Sequence, residues 1–141
     1  MTDATVRGQF LRFAAVGTAG FAVDAGVLTL AMAGLGLGPY AARVVSFLCA
    51  ATFTWAANRA FTFRGADPAR PARQWARFVF ANSLGAAVNY GTYAVLVAGV
   101  TLVREAPVLG VAAGSLAGLA FNFAASRKWV FGAAQDPPSR T

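Results

Sequence analysis

The sequence predicts an all-α, polytopic integral membrane protein. It reads as four transmembrane helices forming two parallel-repeat helical hairpins, with both ends in the cytoplasm. Three observations carry this. The 141-residue chain is 57% hydrophobic and only 12% charged, whereas a soluble domain carries about 25% charge to build its polar surface. Four apolar runs are each long enough to span a hydrocarbon core of roughly 30 Å, which takes about 20 residues. The basic residues collect between these runs, mostly on one side.

The first run covers about residues 10–37 and follows residues 1–9, read as a cytoplasmic tail. Arg7 and Arg12 resemble the charged start of a secretion signal. The apolar stretch behind them is about 25 residues, too long for a signal's 7–15, so it reads as a span and not a cleaved leader. Gly34-Leu35-Gly36-Leu37-Gly38-Pro39 breaks it, as such glycine clusters do. Pro39 then suits a helix start, where its missing N–H would be unpaired anyway. The second run covers about 40–63. A polar connection holding Pro68 and Pro71 leads to the third, about 75–102. The fourth covers about 107–131 and follows Val103-Arg104-Glu105-Ala106-Pro107. Residues 132–141, with two prolines and little apolar content, read as a disordered cytoplasmic tail.

Orientation follows from the charges. Arg7, Arg12, Arg59, Arg64, Arg70, Arg73, Arg77, Arg127, Lys128 and Arg140 fall on one side of the four runs. Arg43 and Arg104 fall on the other. The rich side is cytoplasmic by the positive-inside rule, which makes the chain a multi-pass protein of the cell inner (cytoplasmic) membrane. Phe61, Phe63, Trp75, Trp129 and Phe131 lie where an interfacial aromatic belt is expected.

Several function classes are excluded. The net charge of +7 would point to nucleic acid in a soluble protein, but no basic stripe with interleaved aromatics occurs on a soluble segment. Histidine is absent and Cys49 is the lone cysteine, so neither an internal disulfide nor a His/Cys metal cluster is expected. Cys49 itself reads as a small buried residue. There is no nucleophile–base pair, paired carboxylates or phosphate loop, so the chain is not expected to be an enzyme or to hold a cofactor.

The two halves repeat. A shift of 65 positions carries Arg12, Phe13, Gly20, Val23 and Gly26 onto Arg77, Phe78, Gly85, Val88 and Gly91, and Asp24 onto the near-isosteric Asn89. A shift of 68 carries Thr54-Trp55-Ala-Ala-Asn58-Arg59-Ala-Phe61-Thr62-Phe63 onto Asn122-Phe123-Ala-Ala-Ser126-Arg127-Lys-Trp129-Val130-Phe131. Each unit crosses twice, so the copies share one orientation. Membrane transporters built from repeats bind substrate where the repeats meet. A site between the halves, open toward the cytoplasmic leaflet, is therefore expected. Gly17, Gly20, Gly26, Gly85 and Gly91 are expected to let helices approach closely.

Asp24 lies 12 residues past Arg12, about 18 Å along a helix, near the bilayer centre. A charge there costs at least about 2.5–3.5 kcal/mol and usually faces the bundle interior. The same depth arithmetic gathers Thr54, Asn89 and Asn122 at one level, with Asn82 two turns from Asn89. These five residues form an expected polar transport layer, or else a set of interhelical hydrogen bonds. Toward the cytoplasm, Arg12, Arg59, Arg77 and Arg127, with Asn58 and Ser126, form an expected site for a phosphate or lipid headgroup. Guanidinium forks match phosphate oxygens. The bland alternative is that these arginines fix topology and reach to membrane lipid.

Arg-Phe opening the first and third helices, Val23-Asp24, Asn58-Arg59-Ala-Phe61-Thr62-Phe63, and Asn122-Phe123 with Ser126-Arg127-Lys-Trp129-Val130-Phe131 together resemble the GtrA-like family over about residues 8–132. The resemblance implies that the protein flips a polyprenyl-phosphate-linked sugar across the membrane for cell-surface polysaccharide synthesis. It also implies a membrane-associated glycosyltransferase as partner. The arginines would hold the phosphate and the polar layer would pass the sugar. Two other readings compete. One is a non-transporting adaptor that anchors a glycosyltransferase through the basic loop from Arg64 to Arg77. The other is a small proton-coupled efflux transporter with Asp24 as carrier. Four helices leave little interior volume, so a homo-oligomer is expected.

Overall fold

Proline breaks a helix interior but suits its first turn, and Pro39, Pro71 and Pro107 each stand at a helix start. The computed structural model describes residues 3–66 and 69–132, and no strand occurs among them. Helix α1 spans Asp3–Ala33, α2 Pro39–Ala57, α3 Pro71–Gly99, α4 Thr101–Glu105 and α5 Pro107–Ala125. Both α2 and α5 pass directly into a π-helical turn, Asn58–Thr62 and Ser126–Val130 respectively. Three of the α-helices, α2, α3 and α5, begin on proline. After α1 the chain reverses through Gly36, whose φ of +65° is open to glycine at little cost.

Some boundaries differ from the expected ones. Helix α1 starts at Asp3, so the described part of the expected tail 1–9 is helical. The reason is packing: Val6 and Phe10 lie against the aromatic core. Its other end comes at Ala33 instead of residue 37, because Gly34 begins the turn. Helix α3 starts at Pro71, four residues ahead of the expected Trp75, and stops at Gly99. Residue 102 belongs instead to the short α4, whose Arg104 donates to the last carbonyls of α3, Val97 O at 3.2 Å and Ala98 O at 2.6 Å. Residues 133–141 of the expected disordered tail lie outside the described residues.

Three helical stretches, Thr5–Ala33, Pro39–Thr62 and Val108–Val130, are long and apolar enough to cross a membrane. Their surfaces carry outward-facing Leu11, Phe21, Leu30, Val44, Val108 and Leu116. Helix α3 has the length, with 29 residues. Its middle, however, holds Asn82, Ser83, Asn89, Tyr90 and Tyr93, and these dilute its apolar character.

Helix α1 packs along α2, and α3 along α5. These are the two hairpins. Close approach is set at repeat-equivalent points: a methyl at Gly20 would overlap Thr54, and one at Gly85 would overlap Asn122. Gly17, Gly26 and Gly91 behave otherwise. Nothing lies within 4 Å of a Cβ built on any of them, so the expectation of close contact is corrected for these three.

The hairpins meet at the arginine-bearing end. Phe63 and Phe131, equivalent under the 68-residue shift, stack with centroids 4.7 Å apart and planes 15° apart. Phe13 meets Phe63 edge-on at 6.3 Å and 65°, and its repeat mate Phe78 meets Phe131 at 6.1 Å and 61°. The contacts are thus reciprocal, as a pseudo-two-fold axis between the hairpins requires. Each aromatic pair contributes about 0.5–1.5 kcal/mol beyond its buried area. Two expectations are corrected here. Phe63 and Phe131 are core residues, 3% and 1% exposed, while Phe61 and Trp129 face outward. Cys49 is exposed, because α2 turns its Ala42, Ser46 and Ala51 inward instead.

Candidate functional site

The two π turns are built identically. Phe63 N–H reaches back five residues to Asn58 O at 2.8 Å, and Phe131 N–H to Ser126 O at 2.9 Å. The N–H of Asn58 is shared between Thr54 O and Trp55 O, and that of Ser126 between Asn122 O and Phe123 O. Such insertions are rare in helices and frequent at functional sites. The wider turn carries Asn58 and Thr62 inward, where Thr62 Oγ1 donates to Asn58 Oδ1 at 2.8 Å. Thr62 corresponds to Val130, and Ser126 Oγ, fully buried, is left without a hydrogen-bond partner.

The same turns aim two arginines across the hairpin boundary. Arg59 donates to Gln74 Oε1 at 2.7 Å, and Arg127 donates to Gln9 Oε1 at 3.1 Å. Gln9 and Gln74 are themselves 65 residues apart, so each hairpin's arginine holds the other hairpin's glutamine. Trp55 Nε1 adds a bond to Gln74 Oε1 at 3.2 Å. These glutamines escaped the reading of the sequence, yet the shift that pairs Arg12 with Arg77 also pairs Gln9 with Gln74. The other two arginines lie apart from this cross-link. Arg77 sits over the Trp129 ring at 5.5 Å and donates to Trp129 O at 3.5 Å, while Arg12 is exposed.

Beyond the aromatic joint the hairpins separate, and α1 has no close backbone approach to α3 among the described residues. Two adjoining cavities fill this space. The first, about 250 Å³, is lined by Gly20, Phe21, Asp24, Phe47, Ala50, Ala51, Thr54 and Asn58, with Asn82 and Asn122 across from them. The second, about 520 Å³, is lined by Gly85, Ala86, Asn89, Ser115, Gly118, Leu119, Asn122 and Asn82, with Gly17 and Phe21 across. The structure therefore brings Asp24, Thr54, Asn82, Asn89 and Asn122 together around one cleft. Asn58 belongs to its floor. Ser126 lies below, inside the joint.

The cavities are repeat mates. Gly20, Phe21, Asp24, Phe47, Ala50, Ala51 and Thr54 map in turn onto Gly85, Ala86, Asn89, Ser115, Gly118, Leu119 and Asn122. Three of these changes remove bulk, Phe21 to Ala86, Phe47 to Ser115 and Ala50 to Gly118, and outweigh the one that adds it, Ala51 to Leu119, in keeping with the larger second cavity. A fourth removes charge. The cleft opens sideways between α1 and α3, past the exposed Thr18, Phe21, Ala86 and Ser115. Its arginine end is plugged by Phe13, Phe78 and the stacked Phe63–Phe131 pair. Aromatic packing thus closes the cleft at the arginine-bearing end.

Asp24 has a partner that depth arithmetic did not provide. Arg43 reaches from α2 and donates to Asp24 Oδ2 in an ion pair. Asp24 is 18% exposed and Arg43 57%. An unpaired charge in an apolar interior is far costlier than a paired one, which explains how the carboxylate is tolerated. The corresponding positions of the second hairpin, Asn89 and Val111, carry no charge. Asp24 Oδ1 and Asn122 Oδ1 are buried without a protein hydrogen-bond partner.

A pattern of sequence common to one family covers nearly all of this architecture. The family described as GtrA/DPMS, transmembrane domain, matches residues 12–136. The chain belongs to this family. No curated protein matches it. The match includes both π turns, the aromatic joint and every cleft residue named above. Membership points to a role at the membrane in lipid-linked sugar translocation or glycosylation, and it agrees with the several membrane-length apolar helices.

Proposed function

We propose that this GtrA-like protein translocates a polyprenyl-phosphate-linked sugar across the cytoplasmic membrane. The observation that carries the reading is the laterally open cleft, lined by side-chain amides in a bundle whose outer surface is apolar. Each sugar hydroxyl taken from water without a partner costs roughly 2–7 kcal/mol, so bare lipid rejects a headgroup carrying several. Asn82, Asn89, Asn122 and Ser115 offer replacement donors and acceptors along one wall, and Thr54 faces them from the other. The gap between α1 and α3 lets the prenyl chain stay in lipid while the headgroup moves inside. On this reading α3 is the fourth span, its 29 residues reaching about 43 Å, and its polar face is the price of lining the cleft. The arginine-bearing end, with both chain ends, faces the cytoplasm.

The second cavity is the better headgroup path, since it is larger, holds no charged side chain and is edged by Ser115 where the first has Phe47. Asp24, paired with Arg43, serves as a counterion within the first hairpin. That role suits it better than proton carriage in an efflux cycle. A membrane-associated glycosyltransferase would supply the lipid-linked sugar, and the protein itself performs no bond chemistry. The test is reconstitution in liposomes with a polyprenyl-phosphate-linked sugar. The wild-type protein is expected to accelerate sugar exposure on the far leaflet, and Asn82→Leu to slow it about tenfold or more, the equivalent of one lost charge-free hydrogen-bond pair left unmade. Equal rates with and without protein would sink the proposal.

A further inference from the structure

A third cavity, about 310 Å³, lies at the arginine-bearing end of the second hairpin, outside the cleft. Arg70, Arg73, Gln74 and Arg77 line it together with Val130 and Phe131. Arg70 stands immediately before α3, and Arg73 and Arg77, four residues apart, share one face of its first turns. Among the described residues none that lines it is acidic. Gln74 is buried and its Oε1 is already bonded to Arg59 and Trp55, so the floor of the pocket is held rigid by the cross-link between hairpins. The opening turns of α3 add the positive end of its dipole.

The repeat shows what is unusual about this pocket. Under the 65-residue shift, Gln74 and Arg77 have counterparts in Gln9 and Arg12, but Arg70 and Arg73 map onto Thr5 and Gly8. A charge placed only to fix topology needs no cavity and no particular hairpin. Here two extra arginines stand around a pocket of one hairpin, and it is the hairpin whose cleft cavity is enlarged and uncharged. Arg77 precedes Asn82 by five residues, about 8 Å along the helix axis. One helix thus presents a cationic pocket and, above it, the polar wall.

We infer that the pocket of Arg70, Arg73 and Arg77 binds a phosphoryl group, with Arg73 and Arg77 donating to its oxygens. Guanidinium groups suit this ligand because their paired N–H donors match two oxygens at once. The ligand's identity as the lipid-borne phosphate rests on the function proposed above. The pocket's preference for a phosphoryl group does not.

Binding is measured on the full chain in nanodiscs of zwitterionic lipid, titrated with a polyprenyl monophosphate and, separately, with inorganic phosphate. Arg73→Gln and Arg77→Gln are each expected to weaken prenyl-phosphate binding about tenfold, and Arg12→Gln less than about twofold. Arg73 is exposed, so its variant is expected to fold even if Arg77→Gln does not. Arg77→Lys is expected to recover only part of the affinity, because an ammonium cannot fork. If inorganic phosphate binds as tightly as the lipid and is lost in Arg73→Gln, the phosphoryl site stands and its natural ligand is soluble. If Arg12→Gln weakens binding as much as Arg77→Gln, or Arg73→Gln has no effect, the inference is overturned. Because binding is read without transport, a protein that binds but does not flip would overturn the proposed function and leave this pocket standing.

Discussion

The two hairpins match in their stacked phenylalanines and arginine–glutamine pairs where they touch each other, and differ in bulk and charge where they face the cleft. At the joint, Phe63 stacks on Phe131, Phe13 and Phe78 flank them at matching angles, and Arg59 and Arg127 exchange glutamines. A pseudo-two-fold contact demands this, since a change on one side must be met on the other. In the cleft the hairpins stand apart across open space, and the constraint lapses. There the first hairpin carries Phe21, Asp24 and Phe47, the second Ala86, Asn89 and Ser115. The lesson is that the shared pattern of the two halves carries the packing, and their differences carry the room and polarity of the cleft.

The comparison can be broken at several points. Phe63→Ala and Phe131→Ala are expected to cost the most, about 3–5 kcal/mol each, with similar losses in thermal unfolding of the detergent-solubilised protein. A marked inequality would mean that the stacked pair is not a shared joint. Gln74→Ala and Gln9→Ala follow at about 1.5–3 kcal/mol, the range for hydrogen bonds to charged groups. Gln74 should be the worse loss because it also accepts from Trp55. Gly20→Ala and Gly85→Ala should each cost about 1–3 kcal/mol through overpacking, while Gly26→Ala and Gly91→Ala should be neutral or slightly stabilising by helix propensity. The smallest effect is expected at the ion pair. A double-mutant cycle on Asp24→Asn and Arg43→Gln should give a coupling of about 1 kcal/mol or less, because Arg43 is largely exposed.

Much of this was legible in the sequence. The helical hairpins, the repeat and the gathering of Asp24, Thr54, Asn82, Asn89 and Asn122 follow from apolar run length and a rise of about 1.5 Å per residue. The Asp24–Arg43 pair was not legible. Arg43 falls toward the far end of α2 by counting, and only the reach of its long side chain brings it to the carboxylate. Nor were the buried positions of Phe63 and Phe131: a regular α-helix would not predict a π turn that rotates the following phenylalanine inward. Closure of the arginine end is a consequence of that rotation. The volumes of the two cavities, by contrast, could have been ranked in advance by pairing Phe21 with Ala86 and Phe47 with Ser115.

The central claim is that the second cavity carries the headgroup, and exchanging the two cavities' bulk tests it most directly. Ala86→Phe with Ser115→Phe gives the second cavity the side chains of the first. Both positions are exposed at the cleft mouth, so folding should survive. Phe21→Ala with Phe47→Ser removes the matching bulk from the first and, since Phe21 borders both, none of the second cavity's room is lost. Flipping of a polyprenyl-phosphate-linked sugar is then measured in liposomes holding equal amounts of each variant. The account predicts that the first pair of substitutions abolishes flipping and that the second pair leaves it at or above the wild-type rate. Unchanged flipping in Ala86→Phe/Ser115→Phe would contradict it.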